Sequence, residues 1–189
     1  MQRAVPVGQG AMAALIGVEL DMAEEIAAIA AQDEVCTAAN DNAPGQIVLS
    51  GSVGAIDRAV EIAKERGSKG IVLPVSAPFH CALMAPAAEV MSGVLAEVTM
   101  QFPIVPVVGN VTAAPEEDPV VLRRLLVDQV TSRVRWRECV LKMNTLGVDT
   151  FVEVGAGNVL TGTIRRIDKE LKGFVIQSAD DIDAFLSSL

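Results

Sequence analysis

From Gly10 to Val75 the spacing of apolar positions switches period in an orderly way. Ala11–Ile16 is a short apolar run closed by Gly17 and predicts a strand; Glu19–Ala31 then places Met22, Ile26, Ile29 and Ala30 on one helical face. Val35–Ala39 and Gln46–Leu49 predict two strands joined across Asn40-Asp41-Asn42-Ala43-Pro44-Gly45, a run of turn-forming residues. Val53, Ile56, Val60 and Ala63 recur at helical spacing up to Gly67, and Gly70–Val75 predicts a closing strand.

The resulting order, βαββαβ, is that of a ferredoxin-like subdomain over residues 10–75. After it the pattern changes to longer helices with isolated strands. Leu83, Ala87, Val90, Met91, Val94 and Val98 predict a buried helix face, Ile104–Val108 a β-branched strand, and Asp118–Val130 a helix entered through Pro119. Trp136–Leu146 predicts a helix stopped by Gly147. Thr150–Val154 predicts a strand, followed by Gly155-Ala156-Gly157-Asn158 and a helix to about Leu171; Phe174–Gln177 and Asp180–Leu186 supply one more strand and helix. Residues 76–189 therefore predict an α/β domain with a thin sheet, and a sheet with an unpaired edge or bare face invites association.

The bulk numbers narrow the class without changing this picture. The 189 residues are 51% apolar and 21% charged, a mixture that buries a core rather than staying disordered. Apolar stretches are too short to span a bilayer, and the N-terminal residues show no secretory pattern, so a cytoplasmic protein with no membrane partner is expected. A net charge of −9 argues against nucleic acid as a partner. Cys36, Cys81 and Cys139 are three scattered cysteines with one histidine, which predicts neither a disulfide framework nor a metal site.

The chemistry centres on that histidine. His80 follows a proline-stiffened turn, Ser76-Ala77-Pro78-Phe79, and its side chain is the one that ordinarily titrates near neutrality, although a lone histidine is more often a packing residue. A base needs a nucleophile. The nearest approach to Gly-x-Ser-x-Gly is Ser50-Gly51-Ser52-Val53-Gly54, which lacks the first glycine; Ser52 reads better as a helix N-cap. Cys81, next to His80, would point away from it. Gly8-Gln9-Gly10 has no strand before it and is set aside as a dinucleotide loop. Gly155-Ala156-Gly157-Asn158 reads either as an anion-facing helix start or as a tight turn needing small residues. The cations Arg133-Arg135-Arg137 and Arg165-Arg166-Lys169-Lys172 read most simply as solvated helix faces.

Six segments in order carry a resemblance that no one of them would: Gln2–Gly17 (QRAVPVGQGAMAALIG), Asn40–Gly51 (NDNAPGQIVLSG), Leu73–Pro86 (LPVSAPFHCALMAP), Pro106–Val111 (PVVGNV), Leu126–Trp136 (LVDQVTSRVRW) and Glu153–Ile167 (EVGAGNVLTGTIRRI). Together they resemble the malonyl-CoA:acyl carrier protein transacylases. The resemblance implies a ferredoxin-like subdomain joined to the C-terminal part of a larger α/β hydrolase-like acyltransferase domain. It implies transfer of malonyl from coenzyme A, through a serine, to the phosphopantetheine thiol of acyl carrier protein in fatty acid synthesis, with no cofactor. It makes His80 the catalytic base and Gln129 the residue whose backbone carbonyl orients it. Asn40, Asn42 and Asn110 fall on polar positions near the site, Phe79 on an aromatic that favours malonyl, and Arg165, Arg166 and Lys169 become candidates for carrier-protein docking. The full-length relatives are expected to be monomers. The family's Gly-His-Ser-Leu-Gly elbow and its malonate-binding arginine align before Met1, so the 189 residues alone are expected to be inactive. The alternatives are a non-catalytic module binding carrier protein or coenzyme A, and a subunit completed by an N-terminal partner.

Overall fold

The computed structural model describes residues 4–187; Gln2 and Arg3, at the head of the first of those segments, lie outside them. The chain packs as two units, Met1–Cys139 and Val140–Leu189. In the first unit six elements follow one another: β1 (Gly10–Ile16), α1 (Leu20–Ala31), β2 (Cys36–Ala43), β3 (Gln46–Ser52), α2 (Val53–Glu65) and β4 (Lys69–Val72). The four strands form an antiparallel sheet in the order β2-β3-β1-β4, the ferredoxin-like arrangement.

Strand periodicity sorts the side chains. Ala13 and Leu15 of β1, with Ile47 and Leu49 of β3, pack against Ile26 and Ala30 of α1 and Ile56 and Ala59 of α2. The alternate positions Met12, Ala14 and Val48, with Ala39, form the other face, against which Leu73 and Phe79 lie. The buried stripe of α1 is Ala23, Ile26, Ala27 and Ala30, so the expected face is rotated and Met22 and Ile29 are exposed. Alanines win the inner positions because they let the helix lie close to the sheet. The predicted six-residue turn is also corrected. β2 continues to Ala43, leaving Pro44 and Gly45 to reverse the chain, with Gly45 at φ +69°. Asn40-Asp41-Asn42 are strand residues on an irregular strand, with register shifts between Ala38 and Asn40 and between Asp41 and Ala43. Ser52 precedes α2 as expected, but its hydroxyl makes no capping bond.

After β4 the first unit holds a single 3-10 turn at Ala82–Met84, α3 (Ala85–Ala96), a short antiparallel pair β5 (Val107–Val108) and β6 (Pro115–Glu116), and α4 (Pro119–Asp128). The expected face of α3 is met only in part: Leu83, Ala87 and Met91 pack against the cluster of Val5, Ala77, Met84 and Val130, while Val90 and Val94 form a stripe that is 68% and 57% exposed. The helix is apolar around much of its circumference, and nothing among the described residues covers that stripe. The strand expected at Ile104–Val108 shrinks to its last two residues, because Ile104 and Val105 have no neighbouring ladder to join. α4 starts as expected, Asp118 Oδ1 accepting the Val120 N–H at 2.8 Å with Pro119 in the first turn.

The boundary between the units falls inside α5 (Trp136–Thr145). The second unit then runs β7 (Thr150–Val154), α6 (Val159–Ile167), β8 (Lys172–Ile176) and α7 (Ala179–Leu186), with β7 and β8 parallel. α6 ends at Ile167, four residues before the expected stop, where Asp168 turns extended. Ser178 and Asp181 cap α7 reciprocally. Among the described residues no helix is long and apolar enough to cross a membrane.

Candidate active site

The turn that carries His80 is set by a close approach. Gly10, at the start of β1, faces the Pro78 ring so tightly that a Cβ there would come within 2.3 Å of Pro78 Cγ. Phe79 is half-buried between the sheet face formed by Met12, Ala14 and Val48 and a second cluster of Val5, Ala77, Met84 and Val130. His80 follows with φ +60°, in the left-handed region that a side-chain-bearing residue adopts rarely. Cys81 then donates its thiol to the Pro78 carbonyl at 3.2 Å and is buried. This turns its sulfur into the protein and leaves the His80 ring half-exposed.

His80 Nδ1 is 2.8 Å from the carbonyl oxygen of Gln129. A carbonyl only accepts, so Nδ1 carries the hydrogen, and in the neutral ring Nε2 is then the nitrogen with the lone pair. Gln129 is the C-cap of α4, so its carbonyl is one of those the helix cannot satisfy internally. Its side chain is held as well, Oε1 accepting from Asn110 Nδ2 at 3.2 Å. Asn110 and Gln129 line a cavity of about 150 Å³ with Val107, Gly109, Leu122 and Leu125. His80, Gln129 and Asn110 are therefore one connected group, and Phe79 precedes the ring.

The other sequence-derived candidates lie elsewhere. Asn40 and Asn42 are half-buried on β2, and no described side-chain hydrogen bond joins them to His80 or Gln129. Arg165 and Arg166 occupy the last turn of α6 and Lys169 follows it, all exposed in the second unit. At the start of α6 an anion is already in place: the Glu153 carboxylate accepts the N–H groups of Leu160 at 3.1 Å and Thr161 at 2.7 Å, and these bonds hold it below the usual carboxylate range. Gly155 and Gly157 both turn at positive φ, +138° and +93°.

The Arg133–Arg137 cluster is more than a solvated face. Arg133 pairs with Glu24, Arg135 Nε donates to Glu138 Oε1 at 2.8 Å, and Arg137 reaches both Glu19 and the buried Asp41 at 3.0 Å. The Arg135 bond lowers the Glu138 carboxyl below its ordinary value, whereas burial raises that of Asp41. Burial also pushes the thiols of Cys36 and Cys139 up to about 11 and raises that of Cys81, which makes all three poor nucleophiles at neutral pH.

The chain matches the acyl transferase domain family over residues 1–182. It belongs to that family. Two relatives of this acyl transferase domain are the malonyl CoA-acyl carrier protein transacylases of Bacillus subtilis, 37% identical over 191 residues with 100% of this chain and 60% of that protein covered, and of Escherichia coli K12, 44% identical over 168 residues with 88% and 54% covered. The crystal structure of acyl-carrier-protein-S-malonyltransferase from Bartonella henselae is similar with a TM-score of 0.95 at 49% identity, over 99% of this chain and 60% of that one. A malonyl-transacylase in complex with a type II PKS acyl-carrier protein is similar with a TM-score of 0.95 at 35% identity, over 100% of this chain and 61% of that one. The chain thus spans between 54% and 61% of the length of these relatives.

Proposed function

We propose that the chain carries the base of a malonyl transfer centre: His80 takes a proton at Nε2 while the Gln129 carbonyl holds Nδ1–H. The 2.8 Å Nδ1 to Gln129 contact supports this reading, because it fixes the tautomer an acyl-transfer base needs, the task a carboxylate performs in serine triads. In the first half-reaction a serine hydroxyl gives its proton to Nε2 as its oxygen attacks the malonyl thioester, and the leaving coenzyme A thiolate takes the proton back. In the second, the phosphopantetheine thiol of an acyl carrier protein gives its proton to the same nitrogen, its sulfur attacks the malonyl-serine ester, and the proton returns to the serine. Family members named for these substrates support the assignment of malonyl-CoA and acyl carrier protein.

The 189 residues contain no Gly-x-Ser-x-Gly, and in this proposal the serine is supplied by polypeptide outside them. Phe79, the residue before His80, is assigned the role of limiting room for an α-methyl group, with a preference for malonyl over methylmalonyl worth ~1–3 kcal/mol. Asn110 joins the site through Gln129; Asn40 and Asn42 remain candidates for its polar rim. Arg165, Arg166 and Lys169 form a cationic patch suited to an acidic carrier protein. Functionally the chain divides at residues 10–75, the small subdomain, and 76–189, the larger acyltransferase part.

A second reading is favoured by one observation, the bare apolar stripe of α3: the chain is a subunit whose sheet and helix face are completed by another polypeptide. One assay addresses both. The chain alone should give no transfer of radiolabelled malonyl from malonyl-CoA to acyl carrier protein. Joined to the polypeptide that precedes it in its relatives, or mixed with that polypeptide as a separate chain, it should transfer malonyl faster than methylmalonyl, and His80→Ala should cost about 10²–10⁴-fold. Full activity of the His80→Ala protein would remove His80 from the mechanism.

A further inference from the structure

One buried charge in the first unit takes no part in the chemistry above. Asp41 is completely buried on β2. Arg137 Nε donates to its Oδ2 at 3.0 Å and Nη2 lies 3.0 Å from the same oxygen, so two guanidinium nitrogens converge on one carboxylate oxygen. The other oxygen, Oδ1, is buried with no hydrogen-bond partner among the described residues. The third nitrogen of Arg137, Nη1, donates to Glu19 Oε2 at 3.0 Å. A carboxylate stripped of water and left half-satisfied is a poor source of stability, because desolvation offsets much of the Coulombic attraction.

What the pair does fix is position. The Asp41 N–H donates to the Val134 carbonyl at 2.9 Å, and the Val134 N–H donates to the Ala39 carbonyl at 2.8 Å, a short parallel bridge that binds the segment before α5 to β2. Arg137 anchors that segment three residues further on. From the opposite side, the Arg135 N–H donates to the Asn110 carbonyl at 3.1 Å and its Nη1 to the Val111 carbonyl at 3.1 Å. The segment is thereby strung between β2 and the loop of Asn110. It begins at Gln129, whose carbonyl holds His80.

We propose that Asp41, acting through Arg137, is a positioning residue for His80: the buried pair pins the 130–137 segment so that the Gln129 carbonyl stays on Nδ1. This rests on the reading of His80 as the base and adds to it a residue that never touches substrate. It also accounts for a costly arrangement, since a buried charge pair serves register and orientation better than it serves stability.

His80 is the one histidine of the chain, so the ¹⁵N shifts of imidazole report it alone. They are measured on the full 189-residue chain with neutral imidazole, for the wild type, Asp41→Asn, Arg137→Gln and the double variant Asp41→Leu/Arg137→Leu, with thermal unfolding alongside. The wild type should be mainly the Nδ1–H tautomer. Each variant should show the Nδ1–H to Nε2–H ratio fall about fivefold, the size of one lost hydrogen bond. The double variant should do so while matching the wild type in stability, which a merely structural pair would not do. Folded variants with an unchanged ratio overturn the proposal, as does a double variant that recovers stability and the wild-type ratio together. If Arg137→Gln fails to fold, because it leaves a buried carboxylate alone, Asp41→Asn decides. A wild type dominated by Nε2–H overturns the reading of His80 and this proposal with it; a wild type in the Nδ1–H form with unmoved variants overturns the positioning role alone.

Discussion

At φ +60° the backbone of His80 sits where an L side chain crowds the following carbonyl, a conformation that costs roughly 1–2 kcal/mol for any residue but glycine. The strain falls on the residue whose ring is aimed at Gln129, which is where the structure around it, Pro78 wedged against Gly10 on one side and the buried Cys81 on the other, overdetermines the turn. His80→Gly should therefore be more stable than His80→Ala by about 1 kcal/mol, the reverse of their usual order. Equal urea midpoints for the two variants would show that the turn is relaxed. The histidine was legible in the sequence because its chemistry singles it out wherever it stands. Asp41 was not, because Asn-Asp-Asn before Pro-Gly has the composition of a turn. Its burial depends on Arg137, 96 residues away, and no local pattern carries that distance.

Elements were legible where their signals are local. β7 is observed at Thr150–Val154 as expected, and α4 starts at the Asp118-Pro119 pair that announces it. They were misread where a distant neighbour decides, as in the extension of β2 and the rotation of the α1 face. α5 carries the prediction at this scale. Glu138, in its first turn, is held in ionised form by Arg135, so its folded pKa lies below that of the unfolded chain. Stability from this bond is fully present above the unfolded value and is lost as pH falls through the folded one. Glu138→Gln should thus be less stable than the wild type by a constant margin above about pH 5, with the margin closing as pH falls below the ordinary carboxylate range. Urea unfolding across that range measures it; a margin that widens in acid would mean that the carboxyl is not stabilised as the anion.

For the molecule as a whole, two surface properties oppose each other. The chain carries a net charge of −9, while Val90, Val94 and Val98 of α3 and its C-terminal flank, together with Phe102, Ile104 and Val105, form a run of exposed apolar residues along the first unit. The family-level resemblance could be read from ordered motifs, and the α/β class from alternating periods. That α3 lies uncovered could not, because a helix written for burial looks the same whether or not its partner surface is present. Like charge keeps copies apart over roughly 10 Å at 0.1 M ionic strength and only about 3 Å at 1 M. The second virial coefficient from static light scattering should accordingly be positive in dilute buffer and turn negative as sodium chloride is added, and Val90→Lys/Val94→Glu, which leaves net charge unaltered, should keep it positive at high salt. A coefficient indifferent to salt in both proteins would mean that the stripe is not sticky. On this expectation the bare face of α3 sets the ionic strength at which copies of these 189 residues stay apart: below it like charge separates them, and above it the apolar stripe draws them together.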